Sequence, residues 1–428
     1  MQTEAATQIE RIVEEAIRLS ADGKAVDYAA YTSAHPELMP ELGKRLSLLQ
    51  AVEDAEKEVR SSASSGGAEI PPDIEFLAGS FPDYEILERI ERGGQGVVYR
   101  ARQRFSNRSV AIKMLLNGAV SSASQRRRFA REIELAARLK HPNLVGVIAG
   151  GEIDGRAYVV MEHIHGLAID EHVFVNELST RDTVSLFISV CEAINAAHQG
   201  GVLHRDVKPA NILVDAEGVP HVLDFGFAKD LDASASDAGV TVSGDVLGTP
   251  AYTSPEQALG ASDRVDIRAD IYSLGVVLYY LLSGGFPYPV DGNVRTVLTN
   301  IALYQPRRFQ DAYKTPAATD RRVCVEADLE SVVLKALQKD PAARYQSTGA
   351  FADDLKRYLR GEAVEAKAAS GFYQLRKAIH RYRLQAGVAL AFLLLLCGAA
   401  VGTSILWQRA ERGGRIAMTG LQMASLVN

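Results

Sequence analysis

The feature that most constrains this chain is a cluster of polar residues inside an apolar stretch. Residues 204–211 (HRDVKPAN) lie between Val202-Leu203 and the apolar run at 212–214 (ILV). An aspartate can accept a hydroxyl proton, a lysine can offset developing negative charge, and an asparagine oxygen can bind a hard cation. A plain connecting loop does not account for these groups so close together. The segment therefore predicts a catalytic loop between two buried elements.

A second aspartate follows at a short interval. Asp224, in the sequence Asp224-Phe225-Gly226, comes eighteen residues after Asp206 and directly behind an apolar, strand-like run. A carboxylate there would join Asn211 as a second oxygen ligand for a divalent cation such as magnesium. The two segments together predict a metal-assisted site.

A glycine-rich stretch at residues 93–96 (GGQG) lies between two strand-like runs. Without Cβ atoms, its backbone N–H groups can approach phosphate oxygens, although glycine-rich hairpin turns are also common. A strand-like run at 110–113 (VAIK) ends in Lys113, and Glu132 lies in a helical segment further on. An exposed lysine and a solvated glutamate are the plain alternatives. A Lys113–Glu132 pair would fix the lysine against the phosphates of a nucleotide.

Composition excludes several classes of protein. The chain is 47% hydrophobic and 23% charged, which is typical of globular proteins. With 47 basic and 53 acidic residues it has a net charge of −6, so nucleic acid is not expected as a partner. Cys191, Cys324 and Cys397 are far apart, which excludes a disulfide framework and favours a reducing compartment.

The chain divides by composition into several units. Its start lacks the basic, apolar pattern of a signal peptide. The N-terminal residues instead carry apolar stripes at helical spacing, including Ile9, Ile12, Val13, Leu42 and Leu46. A packing or dimerising appendage and a partner-docking unit both fit these stripes. The predicted units are a helical N-terminal unit at 1–60, a flexible linker at 61–80, a catalytic domain at 84–360, a juxtamembrane segment at 361–383, a transmembrane helix at 384–408 and a short extracytoplasmic tail at 409–428.

The predicted transmembrane helix rests on an uncharged run. Residues 384–408 contain no charged side chain and end close to Trp407, the kind of residue found at membrane interfaces. A buried helix of a soluble domain is the alternative, but such long uncharged runs are rare there. We expect a single-pass protein of the inner (plasma) membrane, with residues 1–383 in the cytoplasm, where ATP is available.

The motifs, in this order and spacing, closely resemble those of the eukaryotic-like protein kinases. The resemblance extends from about Tyr84 to Leu359. It implies an α+β, bilobal protein-kinase fold, with a small β-rich N-lobe and a larger helical C-lobe. The whole architecture resembles bacterial receptor-type serine/threonine kinases, which use ATP and Mg²⁺ and phosphorylate protein Ser/Thr hydroxyls.

The resemblance also implies a role for each motif residue. Asp206 would be the catalytic base, and Lys113, held by Glu132, would contact the α- and β-phosphates. Asn211 and Asp224 would bind magnesium. Lys208 matches the lysine of serine/threonine-specific members and would act in catalysis beside Asp206. The nucleotide site would comprise Ile90, Glu91, Arg92, Gly93, Gly94, Gln95, Gly96, Val97, Val98, Lys113, Glu132, Glu162 and Ile164.

Further matches concern the frame of the site. Met161 resembles the gatekeeper of the hinge between lobes, where the Glu162 carbonyl and the Ile164 N–H would face adenine. Glu256, in a Ser-Pro-Glu motif, would pair with Arg344. Asp270 resembles the helix aspartate that braces the catalytic loop.

One position departs from the family pattern. Glu91 occupies the first glycine position of the glycine-rich loop. Its negative charge near anionic phosphates is expected to lower nucleotide affinity without removing the backbone cradle.

The stretch between Asp224 and Glu256 is polar and rich in small residues. Thr241 and Ser243 are the expected sites of trans-autophosphorylation, for which two copies of the chain would form a homodimer. The added phosphate would engage Arg205 and order this activation segment. The plain alternative is that both hydroxyls only solvate a loop.

Two functions of different classes follow. The first is a membrane-anchored serine/threonine protein kinase. The second is an ATP-binding pseudokinase scaffold that recruits partners through its helical N-terminus. An inactive scaffold commonly lacks the lysine or an aspartate, whereas Lys113, Asp206 and Asp224 are all present.

Overall fold

The computed structural model describes residues 26–39, 77, 79–92, 96–119, 123–225, 250–260, 265–314 and 325–367, with scattered positions between 8 and 50 and between 392 and 407. The chain divides into two compact units, Met1–Leu359 and Arg360–Asn428. The expected linker at 61–80 lies largely outside the described residues. Residues 93–95 of the glycine-rich loop, the activation segment at 226–249, residues 368–383 and the tail at 409–428 lie wholly outside them.

A five-stranded antiparallel sheet forms the small lobe, in the order β1-β2-β3-β5-β4. Alternating apolar side chains of its central strands, such as Val97, Tyr99, Val110 and Ile112, are almost fully buried on one face. The strands are β1 (Tyr84–Arg92), β2 (Gly96–Gln103), β3 (Ser109–Ala119), β4 (Val147–Ile153) and β5 (Arg156–Glu162), and helix α2 (Ala123–Arg138) packs against β4.

The larger lobe is mainly helical and is built around α6 (Ile267–Ser283). The carboxylate of Asp266 accepts the Arg268 backbone N–H at the start of α6, and Gly284 ends it in the left-handed conformation. Almost every residue of α6 is buried, as its apolar sequence requires. The other helices described in this lobe are α3 (Ile169–Val175), α4 (Thr180–Gln199), α5 (Pro255–Ala258), α7 (Val294–Leu303), α8 (Ala327–Ala336) and α9 (Thr348–Leu359).

Short strands of the large lobe follow the polar segment at residues 204–211. The sheet β6-β7-β8 consists of Gly166–Ala168, Ile212–Asp215 and Pro220–Val222, and the pair β9-β10 of Gly285–Phe286 and Tyr313–Lys314. A single 3-10 turn, Pro209–Asn211, leads directly into β7. The bilobal fold expected from the sequence is therefore confirmed, and residues 204–211 lie between α4 and β7.

The N-terminal residues are helical where they are described. Helix α1 (Tyr28–Ala34) begins at Asp27, whose carboxylate accepts the Ala30 N–H, and a 3-10 turn (Pro36–Leu38) follows it. The predicted apolar stripes form one buried cluster, made of Ile9, Ile12, Val13, Ala16, Leu38, Leu42, Leu46 and Leu49. The end of α7 closes this cluster through Ala302 and Leu303.

The expected membrane span at 384–408 is described only in fragments. Among the described residues, no helix has both the length and the apolar character needed to cross a membrane. The described positions of this run include helical residues with largely exposed apolar side chains, among them Phe392, Leu395, Val401 and Trp407.

Candidate active site

Asp270 of α6 holds the catalytic loop by its backbone. Its two carboxylate oxygens accept the N–H groups of His204 and Arg205, each at 2.8 Å, and His198 lies 2.7 Å from Oδ2. Burial alone would raise the pKa of Asp270, but the hydrogen bonds from His198 and the loop hold it below its usual range. The carboxylate therefore stays charged inside the lobe, and the bracing role expected of Asp270 is confirmed.

His204 connects the loop to the strand before Asp224. Its Nε2 lies 2.8 Å from the Leu223 carbonyl oxygen, to which it can only donate. Burial lowers the pKa of His204, so the ring is neutral and its Nδ1 accepts the Asp206 N–H at 3.3 Å. This tautomer fixes the backbone of Asp206.

Two residues of the site have left-handed backbone conformations. Arg205 has φ of 60° and Asp224 has φ of 52°. Non-glycine residues rarely adopt this region, and it persists where surrounding contacts over-determine it. The Asp270 carboxylate supplies such contacts at Arg205, and so does the Gln257 side chain, whose Nε2 donates to the Arg205 carbonyl at 3.0 Å.

The Asp206 carboxylate is buried and held by two neighbours. Lys208 Nζ lies 3.0 Å from Asp206 Oδ2, and the Asn211 side-chain amide donates to the same oxygen at 3.1 Å. Asn211 also donates to the Asp206 backbone carbonyl at 2.7 Å. The Lys208 and Asn211 side chains thus converge on the Asp206 carboxylate, as a positioned general base requires.

Asn211 and Asp224 have the donor chemistry of a magnesium site. The Asn211 amide nitrogen is occupied by Asp206, whereas its Oδ1 atom accepts no hydrogen bond from the described residues. The Asp224 carboxylate carries only the contact to Lys113 within that part of the chain. An amide oxygen and a carboxylate are hard ligands that suit Mg²⁺, so these residues fit the expected ion.

Lys113 reaches Asp224 rather than Glu132. Its Nζ lies 2.8 Å from Asp224 Oδ2, and both side chains are largely buried. No ion pair joins Lys113 to Glu132, although both residues are described. The expected Lys113–Glu132 pair is therefore not formed in this structure. Asp224 competes for the lysine and satisfies its charge.

Glu132 lies half-buried on α2 and forms no ion pair with Lys113. Burial is the main cause that raises its pKa, to about 7, and the charges of Arg205 and Arg128 oppose that rise only in part. Without the Lys113 charge close by, little favours the ionised carboxylate. A neutral Glu132 is the form that this arrangement stabilises.

Glu132 is therefore expected to make stability depend on pH. Because the folded protein binds its proton more tightly than the unfolded chain, the free energy of unfolding should fall as pH rises from 4.5 to about 7. Urea titrations across this window should show a smaller fall for the Glu132→Gln variant. Equal slopes for the two proteins would contradict this assignment.

The pairing of β2 with β3 places Gly96, Val97 and Val98 close to Lys113. Val98 pairs directly with Lys113, and Val97 with Met114, across the β2–β3 ladder. A Cβ atom on Gly96 would lie 2.5 Å from the Met114 carbonyl oxygen, so this glycine is required by the close approach of β3. Ile90, Glu91 and Arg92, at the end of β1, are exposed. Residues 93–95, which connect β1 to β2 along the chain, lie outside the described residues, so the expected contact of the loop with phosphates stays a prediction.

The hinge segment follows β5. Met161 is buried in the strand, and the Glu162 N–H donates to the Gly146 carbonyl at 3.0 Å. The Glu162 side chain forms an ion pair with Arg108. Ile164 is half-buried, and its expected contact with adenine stays a prediction.

A buried ion pair holds Glu256 at the start of α5. Arg344 donates from Nη1 and Nη2 to the two carboxylate oxygens of Glu256, each at 2.8 Å. This bidentate pair was expected from the sequence and is confirmed. The Gln257 contact to Arg205 was not anticipated; only its position next to Glu256 could have pointed to it.

Comparison with known proteins agrees with this fold and site. A family model described as the protein kinase domain matches residues 84–355. Serine/threonine-protein kinase PknB of Mycobacterium tuberculosis is 39% identical over 288 residues, which cover 66% of this chain and 44% of PknB. A probable serine/threonine-protein kinase of Clostridium perfringens is 35% identical over 288 residues, which cover 67% of this chain and 40% of that protein.

Solved structures are also similar to this chain. The kinase domain of M. tuberculosis PknI has 28% sequence identity and a TM-score of 0.48, and the match covers 65% of this chain and 96% of that domain. The family match spans both lobes and includes every motif residue from Lys113 to Asp270. The chain therefore belongs to the protein kinase family, as a bacterial member of the eukaryotic-like serine/threonine type. The matched part spans less than half of the length of the curated relatives.

Proposed function

We propose that this chain transfers the γ-phosphoryl group of ATP to serine and threonine hydroxyls of proteins. The observation that carries the proposal is the buried Asp206 carboxylate, held by Lys208 and Asn211 and fixed through its own backbone N–H by His204. A buried ion pair contributes little to stability, because desolvation of the two charges offsets their attraction, so this arrangement is better explained by catalysis than by packing. The matches to PknB and its relatives support the same activity.

The proposed mechanism gives each of these side chains a step, and the geometry of the site supports it. The Asp206 carboxylate accepts the proton of the substrate hydroxyl as its oxygen bonds to the γ-phosphorus, while the bond from that phosphorus to the β,γ-bridging oxygen breaks and ADP leaves. Lys208, 3.0 Å from Asp206 Oδ2, offsets negative charge that develops on the transferred group. Lys113 is placed beside β2 to contact the α- and β-phosphates once it leaves Asp224. Positioning and charge stabilisation then supply most of the rate.

Magnesium completes the proposed site. Asn211 and Asp224 would hold the ion, which neutralises phosphate charge when bound. Mg²⁺ is usually bound by one or two protein ligands together with substrate phosphates and water. Within the described ranges, no group of three or more His, Cys, Asp or Glu side chains is arranged to hold a metal ion.

The Asp206→Asn variant tests the activity. It should lose phosphoryl transfer from Mg-ATP to a generic protein substrate by about 10²–10⁴-fold, because the general base is absent. Asp291→Asn is the matched control. It changes an exposed carboxylate that is distant from Asp206 in the sequence, so it should keep full activity. Wild-type protein that binds ATP but transfers no phosphate would instead indicate a pseudokinase scaffold.

The same variant tests regulation by autophosphorylation. The proposal is that one copy phosphorylates Thr241 or Ser243 of another, and that the phosphate pairs with Arg205. Mass spectrometry should find phosphate on these residues after incubation with Mg-ATP, and none in Asp206→Asn. A Thr241→Ala, Ser243→Ala double variant with full activity would exclude this switch.

Anchoring of the kinase domain to the cytoplasmic side of a membrane is a further part of the proposal. The uncharged run at 384–408 and the exposed apolar side chains within it support this. A Leu395→Arg, Leu396→Arg variant should shift from the membrane to the soluble fraction, because each arginine costs about 2.5–3.5 kcal/mol at a helix centre. The Leu395→Met, Leu396→Met control should stay in the membrane fraction. Soluble wild-type protein would contradict anchoring.

A further inference from the structure

The N-terminal helical unit packs on one defined surface of the large lobe. Its buried cluster is completed by Ala302 and Leu303 at the end of α7, with Tyr304 and Leu259 packed against it. We call these four residues the α5–α7 face. Leu42, Leu46 and Leu49 of the unit are at most 1% exposed, so the unit is packed as tightly as a domain core.

The α5 side of this face is tied to the catalytic loop. Leu259 ends α5, and its N–H donates to the Pro255 carbonyl at 3.0 Å. Two residues earlier, the Gln257 side chain donates to the carbonyl of Arg205, the neighbour of Asp206. Only one short helix therefore separates the docked unit from the loop that carries the proposed base.

The α7 side is tied to the buried ion pair. The Ile301 carbonyl, next to Ala302, accepts Lys339 Nζ at 2.5 Å. The Lys339 carbonyl in turn accepts Arg344 Nη2 at 3.0 Å, and Arg344 holds Glu256 at the start of α5. Both elements that the unit covers thus converge on the same corner of the large lobe.

We propose that the N-terminal unit is an intramolecular binding partner of the α5–α7 face, and that its docking holds the catalytic loop in working order. For its effect on activity, this inference rests on the proposed kinase function. Among the described residues, the unit contributes most of the shared cluster, and the large lobe contributes Leu259, Ala302, Leu303 and Tyr304. The unit is therefore a separate module on a small interface rather than a part of the lobe's own core.

Covalent connection makes such a small interface effective. The unit and the kinase domain belong to one chain, so docking is intramolecular and proceeds at an effective concentration in the millimolar range. A weak interface is then mostly occupied, yet it can open without unfolding the lobe. The N-terminal unit therefore controls how often the α5–α7 face is covered, and this in turn determines how well α5 is supported.

Hydrogen–deuterium exchange in the full chain tests docking independently of catalysis. Leu42→Asp, Leu46→Asp places charge in the unit's core, and Ala302→Glu places charge on the kinase side while leaving that core intact. Each should speed exchange of the amides at 255–260 and 294–304 by about tenfold, through easier local opening. Met39→Asp, at a half-exposed position of the same unit, is the matched control and should leave exchange unchanged.

Kinetics test the consequence for the loop. Both undocking variants should lower kcat several-fold and leave the KM for ATP unchanged, because the disturbed corner supports Asp206 and not the nucleotide lobe. The conservative variant Leu42→Met, which keeps the side-chain volume, should have the same kcat as the wild type. Unchanged exchange in Ala302→Glu would overturn docking, and an unchanged or raised kcat with faster exchange would overturn the supporting role. Wild-type protein without phosphoryl transfer would refute the kinase function, while the exchange result would still decide docking.

Discussion

Lys113→Met is expected to lower phosphoryl transfer by about 10²-fold or more, since it removes a charge that stabilises the phosphates during transfer. The side chain is largely buried and its only ion pair within the described residues is with Asp224. Methionine has a similar length and suits a buried site, so the fold should survive. Steady-state kinetics with Mg-ATP and circular dichroism on the same sample measure both effects.

Lys140→Met is the matched control for this variant. Lys140 is exposed just after α2 and holds no place in the site, so its replacement should leave activity unchanged. Near-normal turnover in Lys113→Met would remove the lysine from the mechanism. A loss of the folded signal would instead mean that the Lys113–Asp224 pair is needed for folding.

Arg344→Met is expected to destabilise the large lobe by about 3–5 kcal/mol, the cost of leaving a buried charge without its partner. The Arg344 side chain is 0% exposed and that of Glu256 is 9% exposed. Arg344 also donates to the carbonyls of Arg268, Gln338 and Lys339, which would lose those bonds. The midpoint of urea unfolding, with the slope checked for constancy, measures the loss.

A double variant separates the ion pair from these carbonyl contacts. Glu256→Gln combined with Arg344→Met removes the unpaired charge and should recover part of the lost stability. Arg357→Met, at an exposed arginine of α9 near Asp354, is the control and should cost less than about 1 kcal/mol. A loss of that small size in Arg344→Met would show that Glu256 finds another partner.

Sequence alone predicts the catalytic loop and its brace well. Apolar runs on both sides of residues 204–211 require buried flanking elements, and the loop indeed joins α4 to β7. Asp270 and the Glu256–Arg344 pair could be assigned because they occupy motif positions. The spacing of motifs along the chain is enough to predict a contact when both residues lie in the same compact lobe.

The partner of Lys113 could not be predicted in this way. Lys113, Glu132 and Asp224 lie on different elements, and the position of α2 relative to β3 decides which carboxylate the lysine meets. Both candidate partners are carboxylates, so residue type does not decide which of them the lysine meets. The structure resolves it in favour of Asp224.

The docking of the N-terminal unit on the large lobe could not be predicted from the sequence either. The spacing of Leu42, Leu46 and Leu49 predicts an apolar helix face but does not say what covers it. The matching residues of the large lobe, Ala302 and Leu303, continue an apolar helix and carry no separate signal. Only the three-dimensional structure brings the two together.

The hydrogen bonds of Asp270 have a consequence for heat inactivation. The catalytic loop is suspended from the most deeply buried helix of the large lobe, at the backbone of His204 and Arg205. Opening of this loop is unfavourable while the lobe is folded, because it would remove both backbone donors of a charged carboxylate in the interior and leave His198 as its neighbour. Loss of catalytic competence on warming and collapse of the large lobe should thus be a single cooperative event.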